Sequence, residues 1–157
     1  GSASSARPQA RAQPSRAAAA AGGAAGGADA LRVGHALESA AASRSENLPH
    51  GIAVGLGMMV SLHWSADQAV DTRTQSELVD AAHCIKHWLN LAVPASVEIA
   101  VNAADLDTLW AFMEKDKKND TNGVQEVRLT KIGQAEWNQL LSRSAFEISW
   151  SSAHRGV

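Results

Sequence analysis

The strongest constraint on the fold is the glycine-spaced apolar run HGIAVGLGMM at residues 50–59, which directly follows Pro49. This pattern predicts a helix over about residues 51–65. Glycine at positions 51, 55 and 57 disfavours that helix by about 1 kcal/mol per residue relative to alanine. Because only close packing against another helix or a ligand offsets such a cost, we expect this helix to be tightly buried.

Two histidines lie near the beginnings of two helical segments. His50 opens the apolar run, and His35 lies in Gly34-His35-Ala36-Leu37-Glu38, within a helix predicted from Ala30 to about residue 43. Two imidazoles carried by neighbouring helices are suited to a metal or anion site, because neutral imidazole is a good zinc donor. The alternative is that each is a structural histidine whose hydrogen bonds are satisfied locally.

The remaining periodicity predicts a mostly α fold of five helices with a small β-hairpin. A third helix begins near Asp71 or Thr74 and ends before Pro94, and a fourth spans residues 103–115 with Asn102 as its cap. The third helix carries an apolar stripe at three- and four-residue steps: Leu78, Val79, Ala82, Ile85, Trp88 and Leu89.

The C-terminal part contains, in chain order, the patterns of a turn, a strand and a helix. Residues 119–123 are rich in turn formers and precede an alternating strand pattern over residues 124–129. We predict a last helix over residues 134–142 and a short strand over residues 146–150.

Composition divides the chain into two parts. Residues 1–28 are almost entirely Ala, Gly, Ser, Arg, Pro and Gln, so they predict a disordered linker or tag that buries too little surface to fold. Their arginine-rich, acid-poor character also matches an organelle-targeting peptide. Residues 29–157 are predicted to form one domain, which we expect to be cytoplasmic because the single cysteine, Cys84, fits a reducing compartment.

Charge and hydropathy argue against two classes of partner. A formal net charge of -2 gives no reason to expect a nucleic acid. No apolar run reaches about 18 residues, so no transmembrane helix is expected.

His83 and His87 share one face of the third helix, but no carboxylate or third imidazole has suitable spacing, and we interpret them as exposed surface.

Three motifs in order carry a resemblance to a known family. They are Gly34-His35-Ala36-Leu37-Glu38, His50-Gly51-Ile52-Ala53-Val54 with Gly57-Met58, and Asp116-Lys117-Lys118. Over about residues 29–135 the chain resembles the C-terminal, metal-binding helical domain of the 3-dehydroquinate synthase family of sugar-phosphate cyclases, whose patterns are GHxxGHAIE, HGEAVxxGM and DKK. The resemblance implies the fold of that domain and a role in the shikimate pathway or a related one.

The resemblance also implies roles for individual residues. In that family two histidines and a glutamate hold Zn²⁺ or Co²⁺, which binds the substrate's hydroxyls while NAD removes and returns a hydride. His50 matches the metal-binding histidine of HGE. The residues after His35 favour matching it to the second histidine of GHxxGH, which lies on the anion side and would have a catalytic role. The preceding pattern, Leu31-x-x-Gly34-His35, favours matching it to the first histidine, which binds the metal. Lys117 and Lys118 match the two lysines of the phosphate-binding DKK motif, and the resemblance implies a catalytic role for Lys117 as well. The alternative is that both lysines belong to an ordinary solvated helix end.

The chain departs from the family pattern in three respects. Ile52 stands where the family has the glutamate of HGE, and one turn of the GHxxGH helix looks deleted. The glutamate ligand of the metal is expected from a segment upstream of this sequence.

Two functions follow from these observations. The first is the C-terminal domain of a cyclase, which would act together with an N-terminal NAD-binding domain or as a homodimer. Such an enzyme is a lyase that cyclises a seven-carbon sugar phosphate and eliminates phosphate. Without that domain we expect neither NAD binding nor turnover, because no glycine-rich phosphate loop follows a predicted strand. The alternative is a degenerate, non-catalytic helical module for binding or oligomerisation. The branch of cyclase stays open.

Overall fold

The computed structural model describes residues 32–116 and 123–154, which form six helices and one β-hairpin. In chain order the elements are α1 (Arg32–Ser43), α2 (His50–Asp67), α3 (Thr72–Ala92), α4 (Ala95–Asn102), α5 (Leu106–Glu114), β1 (Gln125–Lys131), β2 (Gln134–Leu140) and α6 (Arg143–His154). The predicted mostly α class with a small hairpin is confirmed. The segment 1–28 lies outside the described residues, and none of the described helices is long and apolar enough to cross a membrane.

Helix α2 lies at the centre of the domain, where it contacts α1, α3, α6 and β1. Its large buried side chains include Leu56, Met59, Val60, Leu62 and Trp64. A helix that is apolar on most of its circumference is expected in the middle of a domain rather than at its surface. The prediction of a tightly buried helix is therefore confirmed.

The glycines of α2 allow its neighbours to approach closely. A Cβ atom on Gly55 would lie 3.0 Å from a methyl carbon of Leu89 in α3. By contrast, a Cβ on Gly51 would have no heavy-atom neighbour within 4 Å. The cost of glycine is thus offset by close helix packing at position 55 but not at position 51, where α2 begins.

Helix α3 starts and packs largely as its sequence predicts. The Asp71 carboxylate accepts a hydrogen bond from the backbone N–H of Thr74, so Asp71 caps the helix. Leu78 and Ala82 are buried against α2. Trp88 was wrongly assigned to the buried stripe, because its side chain is 71% exposed. Successive residues differ by about 100° around a helix, so Trp88 points away from the face that carries Leu89.

The predicted fourth helix begins later than expected, at Leu106 as α5, and an additional helix that was not predicted, α4, precedes it. Residues 103–105 separate α4 from α5, and Asn102 belongs to the end of α4. Asp105 caps α5 instead, because its carboxylate accepts the backbone N–H of Thr108 at 3.0 Å. Leu109 and Met113, four residues apart on α5, are fully buried and form its inner face.

The strand predicted over residues 124–129 is confirmed as β1, but the two predictions that follow it in the chain were wrong. Residues 134–140 form strand β2, which pairs antiparallel with β1 through a turn at Ile132 and Gly133, where Gly133 has a φ of 84°. Because β2 is largely exposed, it shows no alternating apolar pattern. Residues 146–150 lie in helix α6, which buries Phe146, Trp150 and Ala153 at helical spacing. Residues four apart share a face in both a helix and a strand, so the pattern F-E-I-S-W did not distinguish them.

Candidate functional site

The two predicted histidines lie together where the start of α2 meets α1. His35 is exposed on α1, and His50 is the first residue of α2. Their ring centroids are 6.3 Å apart and their planes are inclined by 23°. The structure therefore brings together the imidazoles that the sequence predicted to be neighbours.

The local backbone explains this placement. Pro49 has φ -58° and ψ 133°, and its carbonyl accepts the N–H groups of Ile52 and Ala53, so the helix begins at His50. Gly34, which precedes His35, packs against the backbone of Ala53 in α2. This close contact fixes α1 relative to the first turns of α2 and sets the distance between the two rings.

A carboxylate holds one of the imidazoles. Nδ1 of His50 lies 2.9 Å from Oε1 of Glu38, which is three residues after His35 and on the same side of α1. An ionised carboxylate only accepts hydrogen bonds, so Nδ1 is the donor in this contact, and in the neutral imidazole Nε2, on the opposite edge of the ring, then keeps its lone pair. No role for Glu38 was evident from the sequence, although its spacing from His35 could have indicated one.

The donor set fits part of a metal site. With zinc–nitrogen bonds of about 2.0–2.1 Å in a tetrahedral arrangement, the centroids of two ligating imidazoles lie about 5 Å apart. The observed centroid separation of 6.3 Å is larger than this, so the two rings would have to move closer together to share one metal ion. Within residues 32–116 and 123–154, however, no group of three or more His, Cys, Asp or Glu side chains can hold a metal ion. A metal site at His35 and His50 would therefore need further ligands from outside the described residues.

An open cleft of about 340 Å³ adjoins His35 between α1 and α5. Besides His35, the cleft is lined by three charged residues, Arg32, Lys115 and Asp116, and Arg32 is only 2% exposed. Lys117 and Lys118, the predicted phosphate-binding residues, lie outside the described residues, but Asp116 of the same motif lines this cleft. No role for Arg32 was evident from the sequence, because an isolated cation on a helix has no distinctive pattern, and Lys115 was expected only as part of a solvated helix end.

Comparison with known proteins shows the family to which this domain belongs. Residues 32–119 match the family described as 3-dehydroquinate synthase C-terminal, and the match includes His35, His50 and the Asp116-Lys117-Lys118 motif. The chain belongs to this family. A 3-dehydroquinate synthase from Staphylococcus carnosus is 32% identical over 115 residues, which cover 71% of this chain and 28% of the relative. One from Pelagibacter ubique is 33% identical over 99 residues, which cover 63% of this chain and 25% of the relative. The matched region is thus about a quarter of these relatives' length.

The residue that departs from the family's HGE motif faces away from the two histidines. Ile52 is half-buried, packs on the core and lines a small, partly open cavity of about 20 Å³ together with Leu56 and Leu89. Such a volume accommodates about one water molecule. The isoleucine therefore suits its apolar surroundings and does not contribute a polar group beside His50.

The other histidines of this 3-dehydroquinate synthase C-terminal domain form separate contacts. His83 and His87 are exposed on α3, as predicted. His63 of α2 lies near His83, with ring centroids 6.5 Å apart. Burial lowers the pKa of His63 below 6.5, and the charges of His83 and Lys86 lower it further, while Asp67 opposes them. Burial also lowers the pKa of His154, whose ring lies over Trp150.

Proposed function

We propose that this chain supplies the metal- and phosphate-binding part of a sugar-phosphate cyclase site. The reaction is the NAD-dependent cyclisation of a seven-carbon sugar phosphate with elimination of phosphate. The observation that carries the proposal is the pair His35 and His50, whose rings lie 6.3 Å apart beside a cleft lined by cationic side chains. Since the matched region is about a quarter of the relatives' length, an NAD-binding domain is expected to supply the rest.

Each side chain has a role that follows from its position. His50 and His35 are the candidate ligands for Zn²⁺ or Co²⁺, which when bound supplies a Lewis acid for the substrate's hydroxyl groups. Arg32 and Lys115 give the cleft a positive lining suited to a phosphate. Lys117 and Lys118 follow directly in the chain and are proposed to complete that lining. His35 lies between the two parts, because it belongs to the cleft and adjoins His50.

Zinc titration of the 157-residue chain tests the metal part. We expect micromolar binding by isothermal titration calorimetry that is lost in both His35→Ala and His50→Ala. His87→Ala is the matched control, because His87 is an exposed imidazole on α3 and should leave zinc binding unchanged. Binding that persists in His35→Ala and His50→Ala would show that the metal is held elsewhere.

The phosphate part needs a separate measurement. Inorganic phosphate is expected to shift the amide resonances of residues lining the cleft, and the shifts should shrink in Lys115→Ala. Lys131→Ala serves as the control, since Lys131 is exposed on β1 and lies outside the cleft. Equal shifts in the two variants would contradict a phosphate site in this cleft.

A second function is supported by a different observation. Trp88 and Leu91 lie three residues apart on α3 and are 71% and 70% exposed. A large exposed apolar surface is typical of a protein contact, which fits a non-catalytic binding or oligomerisation module. A folded chain that fails to bind zinc but self-associates in analytical ultracentrifugation, and becomes monomeric in Trp88→Ala, would favour this module over the cyclase domain.

A further inference from the structure

We infer that Glu38 is a positioning residue that keeps His50 in the tautomer with a free Nε2. The inference rests on the proposed metal-binding role of His50 and deepens it. The observation that carries it is the 2.9 Å contact between Oε1 of Glu38 and Nδ1 of His50. Glu38 acts through the imidazole and not on a substrate.

The chemistry follows from what each group can donate. Nδ1 must carry the proton in order to donate to the carboxylate, so Nε2 is left with the lone pair that a cation requires. The hydrogen bond at one ring nitrogen determines which nitrogen is available to a metal. A carboxylate at Nδ1 also makes the imidazole a more basic donor and fixes the orientation of the ring.

The packing of α1 against α2 determines the position of Glu38 beside His50. Glu38 projects from the same side of α1 as His35, and Gly34 in the preceding turn packs against the backbone of α2. The side chain of Glu38 is 30% exposed, whereas that of His50 is 62% exposed. One helix therefore carries both a candidate ligand, His35, and the group that orients the other ligand, His50.

An ordinary surface ion pair would predict a different outcome. Exposed ion pairs contribute little to stability and have no effect on the chemistry of a third group. A positioning role instead predicts that removal of the carboxylate changes the His50 tautomer and the zinc affinity while the fold stays intact. The two interpretations therefore differ in what they predict for the imidazole rather than for folding.

The first measurement is the tautomer of His50 in the metal-free protein. Long-range ¹H–¹⁵N spectra at a pH where the imidazole is neutral should show a protonated Nδ1 and an unprotonated Nε2. In Glu38→Ala we expect the two ¹⁵N shifts to move towards the opposite tautomer. Glu77→Ala is the matched control, because Glu77 pairs with Arg73 on the distant surface of α3. Unchanged His50 shifts in Glu38→Ala would overturn the inference.

The second measurement is zinc affinity by calorimetry. Loss of such a partner typically weakens metal binding by about 10- to 100-fold, and we expect this range for Glu38→Ala. Glu38→Gln should be intermediate, because its amide can either accept from Nδ1 or donate to it and so no longer enforces one tautomer. Zinc affinity equal to that of the wild type in both variants would also overturn the inference.

The two measurements separate this inference from the proposed function. If the wild-type chain binds no zinc, the metal site fails, yet the tautomer experiment still decides whether Glu38 controls His50. Circular dichroism checks that each variant is folded. Should Glu38→Ala be unfolded, the similarly shaped Glu38→Gln provides both readouts.

Discussion

Gly57 of α2 packs directly against the backbone of Gly34 in α1. A Cβ atom on Gly57 would lie 3.0 Å from the amide nitrogen of Gly34, and one on Gly34 would lie 2.9 Å from the carbonyl oxygen of Ala53. Neither obstacle is the end of a flexible side chain, so the two helices would have to separate to admit a methyl group. This contact lies next to His35 and therefore also determines the geometry of the candidate site.

We expect Gly34→Ala to lower the free energy of unfolding by about 1–3 kcal/mol, because overpacking forces the helix backbones apart. Gly51→Ala is the matched control. Its added methyl group has open space, so the reduced entropy of the unfolded chain should stabilise the protein by about 0.5 kcal/mol. Urea denaturation of both variants provides the measurement, and similar midpoints for Gly34→Ala and the wild type would contradict the close contact.

Stability should fall as the pH is lowered through the titration range of His63. Its pKa is lowered in the folded state, first by burial and then by His83, from an ordinary value of 6.5. The unfolded chain therefore binds the proton more tightly, so this contribution is complete above pH 6.5 and is lost as the pH falls below it. His154, whose pKa is also lowered by burial, adds to the same trend.

The matched variants for this prediction are His63→Gln and His87→Gln. Thermal unfolding between neutral and mildly acidic pH should show a weaker dependence on pH in His63→Gln. His87 lies one turn beyond His83 on the exposed surface of α3, and its replacement should leave the dependence as it is in the wild type. A His63→Gln variant that loses stability as steeply as the wild type would rule out this assignment.

Removal of the α5 cap should destabilise the domain. The Asp105 carboxylate accepts hydrogen bonds from the backbone N–H and the hydroxyl of Thr108, and these bonds lower the pKa of Asp105 below 3.8. Asp105→Ala is expected to lower the midpoint of thermal unfolding, whereas Asp105→Asn should retain most of it because asparagine also caps helices. Equal melting temperatures for the two variants would contradict a capping role.

The same cap should affect acid stability. Because the folded pKa of Asp105 is lowered, its contribution is present above pH 3.8 and disappears as the pH falls through the folded value. The difference in melting temperature between the wild type and Asp105→Ala should therefore shrink in strong acid.

A buried hydroxyl links α2 to the hairpin. Oγ of Ser65 accepts the backbone N–H of Leu129 at 2.9 Å and donates to the carbonyl of Ser61. Ser65→Ala removes the acceptor, and an unsatisfied buried donor costs about 1–3 kcal/mol. Faster amide hydrogen exchange at Leu129 together with reduced stability is the expected result. Ser76→Ala, on the exposed face of α3, is the control and should change neither.

Sequence patterns predicted the fold correctly where the signal lies within a single helix. The glycine-spaced apolar run after Pro49 predicted the central helix, and the capping pattern near Asp71 predicted the start of α3. Such signals are local, because helix initiation, capping and apolar periodicity depend on neighbouring residues. They did not distinguish β2 from a helix, since the exposed face of a two-stranded hairpin carries no core pattern.

At the candidate site, too, the sequence predicted some of the residues and only the structure identified the others. The sequence identified His35 and His50 as imidazoles at the starts of two helical segments, and the family motifs around them gave those residues their expected chemistry. Only the tertiary structure joined Glu38 to His50 and placed Arg32 and Lys115 beside His35. The physical reason is that these contacts depend on how closely α1, α2 and α5 approach one another, which packing between distant segments determines.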